Sequence, residues 1–158
     1  MSYSIRYARF DDCDAILRLL GQIRRLHQTL RPDIFREGTT KYTAEDLREI
    51  IKDESRPILI AADGDDTVLG YAMCVVKEQK GHSVVKDCRT LYLDDLCVDE
   101  AIRGGGIGKA LTEECIALAR DCGARRVELN VWECNAGAMA FYERHGFTTQ
   151  KRTLELRL

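Results

Sequence analysis

Two groups of residues in the second half of the chain have the types and spacing that proton transfer beside a bound anion requires. Asp94 and Asp95 stand side by side in an apolar run, and Tyr142 lies in a later helical pattern. Between them is the glycine-rich stretch Arg103-Gly104-Gly105-Gly106-Ile107-Gly108-Lys109. Carboxylates accept protons and attract cations, and a tyrosine hydroxyl can donate a proton. These residues are therefore candidates for acid–base chemistry close to an anion-binding turn. The alternatives are a helix tyrosine packed on the sheet and a pair of aspartates that face solvent at a strand end.

The glycine-rich stretch joins a strand-like run to a helix-like run. Residues 91–98 are apolar around the two aspartates, and residues 110–122 have apolar side chains at helical spacing. A turn of this kind offers backbone N–H groups to an anion at the positive end of a helix. It lacks the Gly-x-x-x-x-Gly-Lys-Ser/Thr pattern of nucleotide-binding loops, and it comes too late in the chain for a dinucleotide fingerprint. A tight connection without a ligand is the alternative.

The elements that position these groups follow from hydrophobic periodicity and turn residues. We predict strands at 4–10, 57–62, 67–77, 90–98, 125–132 and 147–158, and helices at about 12–30, 43–52, 110–122 and 135–144. Residues 63–66 form a hairpin turn, and 78–88 a loop. Adjacent residues of a strand point to opposite faces, so Asp94 should face away from Asp95 unless the strand bulges. The pattern indicates one mixed α/β domain, residues 1–158.

Composition excludes several classes of function. The chain has 158 residues with a formal net charge of −2, so nothing favours a nucleic-acid partner. No apolar run is long enough to span a bilayer and no secretory pattern is present, so we expect a cytoplasmic protein without a membrane partner. The seven cysteines contain no C-x-x-C pair and only three histidines accompany them. We expect reduced cysteines used as small apolar residues, and no metal.

Three motifs resemble one family. They are Leu96-Cys97-Val98, Arg103-x-x-Gly106-x-Gly108, and Asn135-x-x-Ala138-x-x-Phe141-Tyr142-Glu143-x-x-Gly146-Phe147. Together with the order of the elements, they make the chain similar from end to end to the GCN5-related N-acetyltransferases (GNAT). The resemblance implies an α/β (α+β) fold with a central mixed, mostly antiparallel sheet and about four flanking helices. It also implies a splay between the strands near Val98 and Val131.

The resemblance further implies acetyl-CoA as co-substrate. The pantetheine arm would pair with backbone groups of Leu96 and Val98, and the pyrophosphate would lie against the backbone of residues 104–109. Tyr142 would be the general acid that serves the coenzyme A sulfur. The implied cofactor-binding residues are Leu96, Cys97, Val98, Arg103, Gly104, Gly105, Gly106, Ile107, Gly108, Lys109, Asn135 and Tyr142. For the side chains of Arg103 and Lys109, solvated surface cations are the alternative.

The stretch Tyr92-Leu93-Asp94-Asp95-x-x-Val98 looks like that of diamine (spermidine/spermine) acetyltransferases. That resemblance implies that Asp94 accepts the amine proton through water, although those enzymes have glutamate there. Asp95 would help to attract a cationic acceptor, and Glu128 is a weaker candidate base. The similarity fades between residues 27 and 43, where His27 and Phe35 either line the acceptor pocket or only pack the loop between two helices.

These observations predict an acetyl-CoA-dependent N-acetyltransferase that acts by direct attack of a primary amine. The expected acceptor is a small molecule such as a polyamine or an amino-acid derivative. A protein N-terminus or lysine is the alternative acceptor, and a catalytically silent acyl-CoA-binding sensor is the alternative without enzyme activity. The family resemblance makes a homodimer a further expectation, with the terminal strand near Arg157-Leu158 at its interface.

Overall fold

The computed structural model describes residues 2–158. The strands are Tyr3–Tyr7 (β1), Ile58–Asp63 (β2), Val68–Gln79 (β3), Cys88–Val98 (β4) and Arg126–Glu128 (β5). The helices are Cys13–Leu30 (α1), Ala44–Lys52 (α2), Ile107–Asp121 (α3) and Ala136–Arg144 (α4), and 3-10 turns lie at Phe10–Asp12 and Glu100–Ile102. The predicted order of elements is confirmed up to α4.

The sheet has the strand order β1-β2-β3-β4-β5. Its first three pairings are antiparallel, and only β4 and β5 are parallel. The predicted hairpin between β2 and β3 is confirmed, because Asp63 Oδ1 accepts the N–H groups of Asp65 and Thr67 at 3.0 and 2.9 Å. A mixed, mostly antiparallel sheet with helices on both faces matches the predicted fold class.

Each face of the sheet is covered by a different set of helices. Helices α1 and α2 cover one face, where the buried core includes Ile16, Leu19, Leu47, Ile60, Tyr71 and Cys97. Helix α3 covers the other face, where the core includes Leu59, Leu91, Leu93, Leu111 and Cys115. Full burial of each such leucine or isoleucine stabilises the fold by about 1.5–3 kcal/mol. Four of the seven cysteines are buried in these cores, which agrees with their predicted use as apolar residues.

A capping box fixes the start of α2 and thereby the end of the loop that leaves α1. Asp46 N donates to Thr43 Oγ1 at 3.1 Å, and Thr43 N donates to Asp46 Oδ2 at 2.8 Å. These bonds satisfy N–H groups that the first turn of a helix leaves unpaired. The loop between α1 and α2 therefore has a firmly placed end at Thr43.

Two predicted strands differ from the structure. The strand expected at 125–132 is limited to Arg126–Glu128, and residues 147–158 form no strand. Alternation leads to a strand only where the segment pairs with a neighbouring strand, and residues 147–158 form no such pairing in the structure. Its leucines at 154, 156 and 158 are almost fully exposed. The predicted loop is also shorter than expected, because β3 continues to Gln79 and β4 begins at Cys88.

Candidate active site

A β-bulge in β4 brings both aspartates to the same side of the sheet. Met73 pairs with Asp95 and Cys74 with Leu93, so Asp94 is an extra residue in β4. Leu93, before the bulge, belongs to the core under α3, whereas Cys97, after it, belongs to the core under α1. The expectation that Asp94 faces away from Asp95 was therefore wrong, since an extra residue reverses the alternation beyond it.

Both carboxylates approach one ammonium group. Lys41 Nζ lies 2.8 Å from Asp94 Oδ2 and 3.9 Å from Asp95 Oδ2. Lys41 belongs to the loop between α1 and α2, and its pKa is raised because the two carboxylates outweigh the effect of its burial. The site thus holds a primary ammonium beside two carboxylates, which is the pairing that a cationic amine ligand would make.

Asp95 is the more deeply buried of the two carboxylates. Its side chain is 12% exposed, against 26% for Asp94. Burial raises the pKa of Asp95 to about 6, although Lys41 acts in the opposite direction. The neighbouring hydroxyl of Tyr71 is fully buried and has no hydrogen-bond partner of good geometry. Asp95 therefore changes its charge close to neutral pH, where a proton acceptor is most useful.

Strands β4 and β5 separate just beside these carboxylates. They pair over three positions only, the last being Tyr92 with Glu128, and Asn130 Nδ2 donates to Tyr92 Oη at 3.0 Å beyond that pair. Residues 93–98 have no strand partner on the β5 side. This opening is the predicted splay, and its walls are the last residues of β4 and the segment after β5. Unpaired backbone along such an edge is available to an extended ligand.

The glycine turn lies at one end of this opening. Gly104 and Gly106 have φ values of +90° and +80°, a conformation that side chains disfavour. No side chain caps α3, so the amides of its first turn remain available. A Cβ on Gly108 would lie 3.3 Å from the Phe141 ring and 3.7 Å from Val98 Cγ2. The start of α3 therefore packs closely against the end of β4 and against α4.

The two cations of the turn have different partners. Arg103 Nε donates to the carbonyl oxygen of Val98 at 3.3 Å, which ties the turn to the end of β4. Lys109 Nζ lies 3.6 Å from Glu113 one turn along α3, and both side chains are exposed. Arg103 thus lies at the opening, whereas Lys109 has the environment of a surface residue.

Helix α4 brings Asn135 and Tyr142 to the same region. Asn135 is the N-cap, as predicted, and its Oδ1 accepts the N–H of Ala138 at 3.2 Å. Tyr142 packs edge-on against Phe141 and Phe147 at centroid distances of 5.1 and 5.4 Å. Burial raises the pKa of Tyr142, and the charge of Asp95 adds to the effect. Tyr142 is thus protonated at neutral pH and able to donate a hydrogen bond.

An aromatic cluster lies near the loop that carries Lys41. His27 stacks on Phe35 with 5.1 Å between ring centroids, and Phe35 meets the edge of Trp132 at 5.3 Å. Burial lowers the pKa of His27, and Lys41 lowers it further. The structure therefore gives His27 and Phe35 a packing role and also places them at the loop that carries Lys41. Their packing role is thus observed, and a role in lining an acceptor pocket stays a prediction.

Two other candidates have side chains engaged elsewhere. The thiol of Cys97 lies in the core and donates to the Leu19 carbonyl at 3.5 Å, and burial raises its pKa to about 12. Only the backbone of Cys97 is thus available at the opening. Glu128 forms an ion pair with Arg126 at 3.4 Å and accepts a hydrogen bond from Gln150 at 3.1 Å.

Sequence reasoning missed Lys41, Tyr71 and Trp132. Lys41 is 53 residues from Asp94 in the chain, so no local spacing relates the two. Trp132 is the single tryptophan of the chain and stands three residues before the predicted cap Asn135, a spacing that could have been used as a signal. Tyr71 lies within a strand pattern that indicates only core, and the sequence carries no sign of its unpaired hydroxyl.

Other features of the described residues do not add to this site. A groove of about 330 Å³ opens at a distance from the glycine turn, and its lining includes Tyr7, Ile51, Pro57, Val76, Leu118 and Cys122. Within residues 2–158, no three His, Cys, Asp or Glu side chains group closely enough to hold a metal ion. No helix in that range has the length and apolar character needed to cross a membrane.

Comparison with known proteins identifies relatives of the chain. Over 112 residues it is 38% identical to mycothiol acetyltransferase of Salinispora tropica, an alignment that covers 68% of this chain and 34% of that protein. The chain therefore spans about a third of the length of this relative. Over 152 residues it is 29% identical to thialysine N-epsilon-acetyltransferase of Bos taurus, with 90% and 82% of the two chains covered.

The fold has a close match among solved structures. The crystal structure of a tetramutant of the BH1408 protein of Bacillus halodurans superposes with a TM-score of 0.94 at 30% sequence identity, with 98% of this chain and 99% of that chain covered. Residues 22–147, which include the bulge, the glycine turn and α4, match the acetyltransferase (GNAT) family. The chain belongs to the GNAT family of acetyltransferases.

Proposed function

We propose that this protein is an acetyl-CoA-dependent N-acetyltransferase that transfers an acetyl group to a primary amine of a small cationic molecule. The observation that carries the proposal is the opening between β4 and β5, which lies between the uncapped start of α3 and the carboxylates of Asp94 and Asp95. One end of the opening suits an anion and the other suits a cation. The GNAT family generally uses acetyl-CoA as co-substrate.

The residues around the opening fit acetyl-CoA. Amides of residues 104–109 would hold its pyrophosphate, because no side chain caps the start of α3 and its first-turn amides are available. Backbone groups of Leu96, Cys97 and Val98 would receive the pantetheine arm along the unpaired edge. Arg103 and the free Nδ2 of Asn135 would add polar contacts. Acetyl-CoA supplies an activated acyl group as a thioester.

Tyr142 is the proposed general acid. Its pKa is raised, so its hydroxyl retains the proton that a departing thiolate needs. It lies on α4 next to Phe141, which contacts the start of α3 and thereby the proposed coenzyme site. A route through an acyl-cysteine is disfavoured, because the Cys97 thiol is buried with a pKa of about 12.

Asp94 and Asp95 are the proposed acceptor site and base. An amine is almost wholly protonated at neutral pH, so it must lose a proton before it attacks the thioester. Asp95, with a pKa of about 6, is a suitable acceptor of that proton, and Asp94 can bind the ammonium or pass its proton through water. The sequence favoured Asp94 as base, and the structure adds support for a share of this role for Asp95.

Three observations bear on the acceptor. The two carboxylates favour a cationic amine, and the aromatic cluster of His27, Phe35 and Trp132 favours a ligand with an apolar portion. The bovine relative carries the name of an enzyme that acetylates the ε-amine of thialysine, a small amine. A protein lysine or N-terminus is the alternative acceptor, and a silent coenzyme-binding sensor is the alternative without activity.

The decisive experiment measures thiol release from acetyl-CoA with a panel of amines: polyamines, lysine analogues and peptides. Small amines should stimulate release, and peptides should not. Tyr142→Phe should lower turnover at least tenfold with little change in acetyl-CoA affinity, whereas Tyr7→Phe, on the exposed end of β1, is the matched control. Acetyl-CoA binding without release by any amine would refute the enzyme and favour the sensor.

A homodimer is proposed on separate grounds. Leu154, Leu156 and Leu158 alternate along an extended segment and are each at least 86% exposed, and the outer edge of β5 is unpaired. We infer that the terminal segment of one copy pairs with a second copy, because exposed alternating leucines suit a strand that is half-buried. Leu156→Glu should then yield a monomer in sedimentation, whereas Val84→Glu, 85% exposed in another loop, should not. A wild-type monomer at high concentration would refute the proposal.

A further inference from the structure

Lys41 differs from the other ion-paired lysines of the chain. Within residues 2–158, the lysines Lys52, Lys80 and Lys109 pair with carboxylates two to four positions away in sequence. Lys41 alone pairs with carboxylates of a distant element, the bulge of β4. Within residues 2–158, arginines also pair across the fold, as Arg18 does with Asp99, but Lys41 is the cation among them that carries a primary amine.

The two residues that follow Lys41 help to fix the position of its ammonium. The next residue, Tyr42, packs against the core, its ring lies 5.2 Å from Lys41 Nζ, and its hydroxyl is 3.5 Å from Asp94 Oδ2. Thr43 then begins the capping box of α2. The amine therefore lies close to both carboxylates because the backbone on its C-terminal side is anchored, rather than by chance contact of a free surface chain.

The position of this amine coincides with the place that the proposed reaction assigns to its acceptor. A cationic acceptor needs a carboxylate to bind its ammonium and a base to remove a proton. Lys41 Nζ is a primary amine that lies 2.8 Å from the carboxylate of Asp94 and 3.9 Å from that of Asp95. A side chain of the enzyme thus occupies the acceptor position, and a free amine must displace it to bind.

We propose that Lys41 is an internal acetyl acceptor that is modified when acetyl-CoA is bound and no free amine is present, an inference that rests on the proposed function. The ammonium gives one proton to the carboxylate pair, and the neutral Nζ attacks the thioester carbonyl. The new C–N bond replaces the C–S bond, and the thiolate takes the proton of Tyr142. The nitrogen loses its second proton on becoming an amide, and this proton restores the Tyr142 hydroxyl. The products are Nε-acetyl-Lys41, coenzyme A and one proton.

Acetylation would change the site as well as the lysine. An amide carries no charge, so it cannot maintain the ion pair that Lys41 makes with Asp94. The carboxylates would then be free for an external cation. Self-acetylation therefore provides a way in which acetyl-CoA, accumulating without an acceptor, opens the acceptor site.

The test is mass spectrometry of the full-length protein after incubation with acetyl-CoA and no amine. One acetyl group per chain should appear at Lys41, with a rate constant independent of protein concentration. Lys52 is the internal control, because it is exposed and has a carboxylate at 2.6 Å but lies on α2 away from the opening. Lys41 should be modified at least tenfold faster than Lys52, and spermidine should suppress the modification.

Two variants separate this inference from the proposed function. Lys41→Arg keeps a cation beside the carboxylates but cannot be acetylated, so modification should vanish, and turnover of free amines should fall because the acceptor site cannot be opened. Tyr142→Phe should slow modification and turnover together. If the wild type acetylates a free amine but leaves Lys41 unmodified when it is incubated with acetyl-CoA alone, the inference is overturned and the enzyme proposal remains intact. Equal acetylation of Lys41 and Lys52 would also overturn the inference, as would a rate constant of modification that rises with protein concentration. If the wild type neither modifies Lys41 nor acetylates a free amine, both proposals are refuted.

Discussion

Replacement of Asp95 by asparagine should stabilise the protein at neutral pH. Asp95 is a carboxylate buried beside Tyr71 in the α1 face of the sheet, and at neutral pH it must carry a charge that burial disfavours. The rise of its pKa from 3.8 to about 6 corresponds to an unfavourable free energy of about 3 kcal/mol when the group is ionised in the folded state. Asparagine removes this cost and can hydrogen-bond to the Tyr71 hydroxyl.

The pH dependence gives the prediction its sign. Between 3.8 and about 6 the folded protein retains a proton on Asp95 that the unfolded chain has released, so the stability of the wild type falls as pH rises through this window. Above about pH 6, Asp95 is ionised in both the folded and the unfolded protein, and its contribution to the free energy of unfolding no longer changes with pH. Relative to the wild type, Asp95→Asn should therefore gain about 2 kcal/mol between about pH 4.5 and about pH 7.5.

Urea denaturation of both proteins at a series of pH values measures this gain. Lys41→Met in the wild-type background should extend the window above pH 6, because it removes the cation 3.9 Å from Asp95. A stability difference that stays constant across the series, or that shrinks as pH rises, would show that Asp95 is ionised in the folded state at low pH. The reasoning about its burial would then be wrong.

Three further substitutions test other parts of the fold by urea denaturation. Asp12→Asn should cost about 2–4 kcal/mol at neutral pH by breaking the bonds from Arg6 at 2.7 and 2.9 Å. Burial opposes the charge of Asp12, but these bonds hold its pKa below its ordinary value. The stability lost in Asp12→Asn should therefore become smaller as pH falls, which is opposite to the trend expected for Asp95. A loss that does not change with pH would contradict this prediction. Gly70→Ala places a Cβ 2.8 Å from the Cys97 carbonyl oxygen and should lower the free energy of unfolding by about 1–3 kcal/mol. An unchanged urea midpoint would show that β4 shifts to accommodate the Cβ. Thr43→Ala should cost about 1 kcal/mol through loss of the cap, and Thr43→Ser, which retains the hydroxyl, should cost less.

Local patterns predicted the parts of the site that one segment builds. The glycine turn, the cap at Asn135 and the helix that carries Tyr142 each depend on residues close in sequence, and each was placed correctly. The open region between β4 and β5 was expected from the family resemblance and not from periodicity. The roles of these residues in catalysis stay predictions until the enzyme assays are done.

Features that depend on distant partners could not be predicted in the same way. The bulge at Asp94 arises from the register of β4 against β3, and alternation alone does not say where an extra residue is inserted. Residues 147–158 alternate like a strand, yet they pair with no strand in the structure, and alternation alone does not say whether a segment will find a partner. The error at the C-terminus and the exposed leucines there have the same cause.

The amino-acid sequence by itself thus predicted a mixed α/β fold, the glycine turn before α3 and the helix that carries Asn135 and Tyr142, because these follow from local periodicity, glycine conformation and capping. Only the tertiary structure decided that Asp94 and Asp95 share one side of the sheet, that Asp95 is buried enough to titrate near neutral pH, and that Lys41 occupies the carboxylate pair. Strand register, burial and contacts across 53 residues of chain are properties of the packed molecule, and no local pattern encodes them.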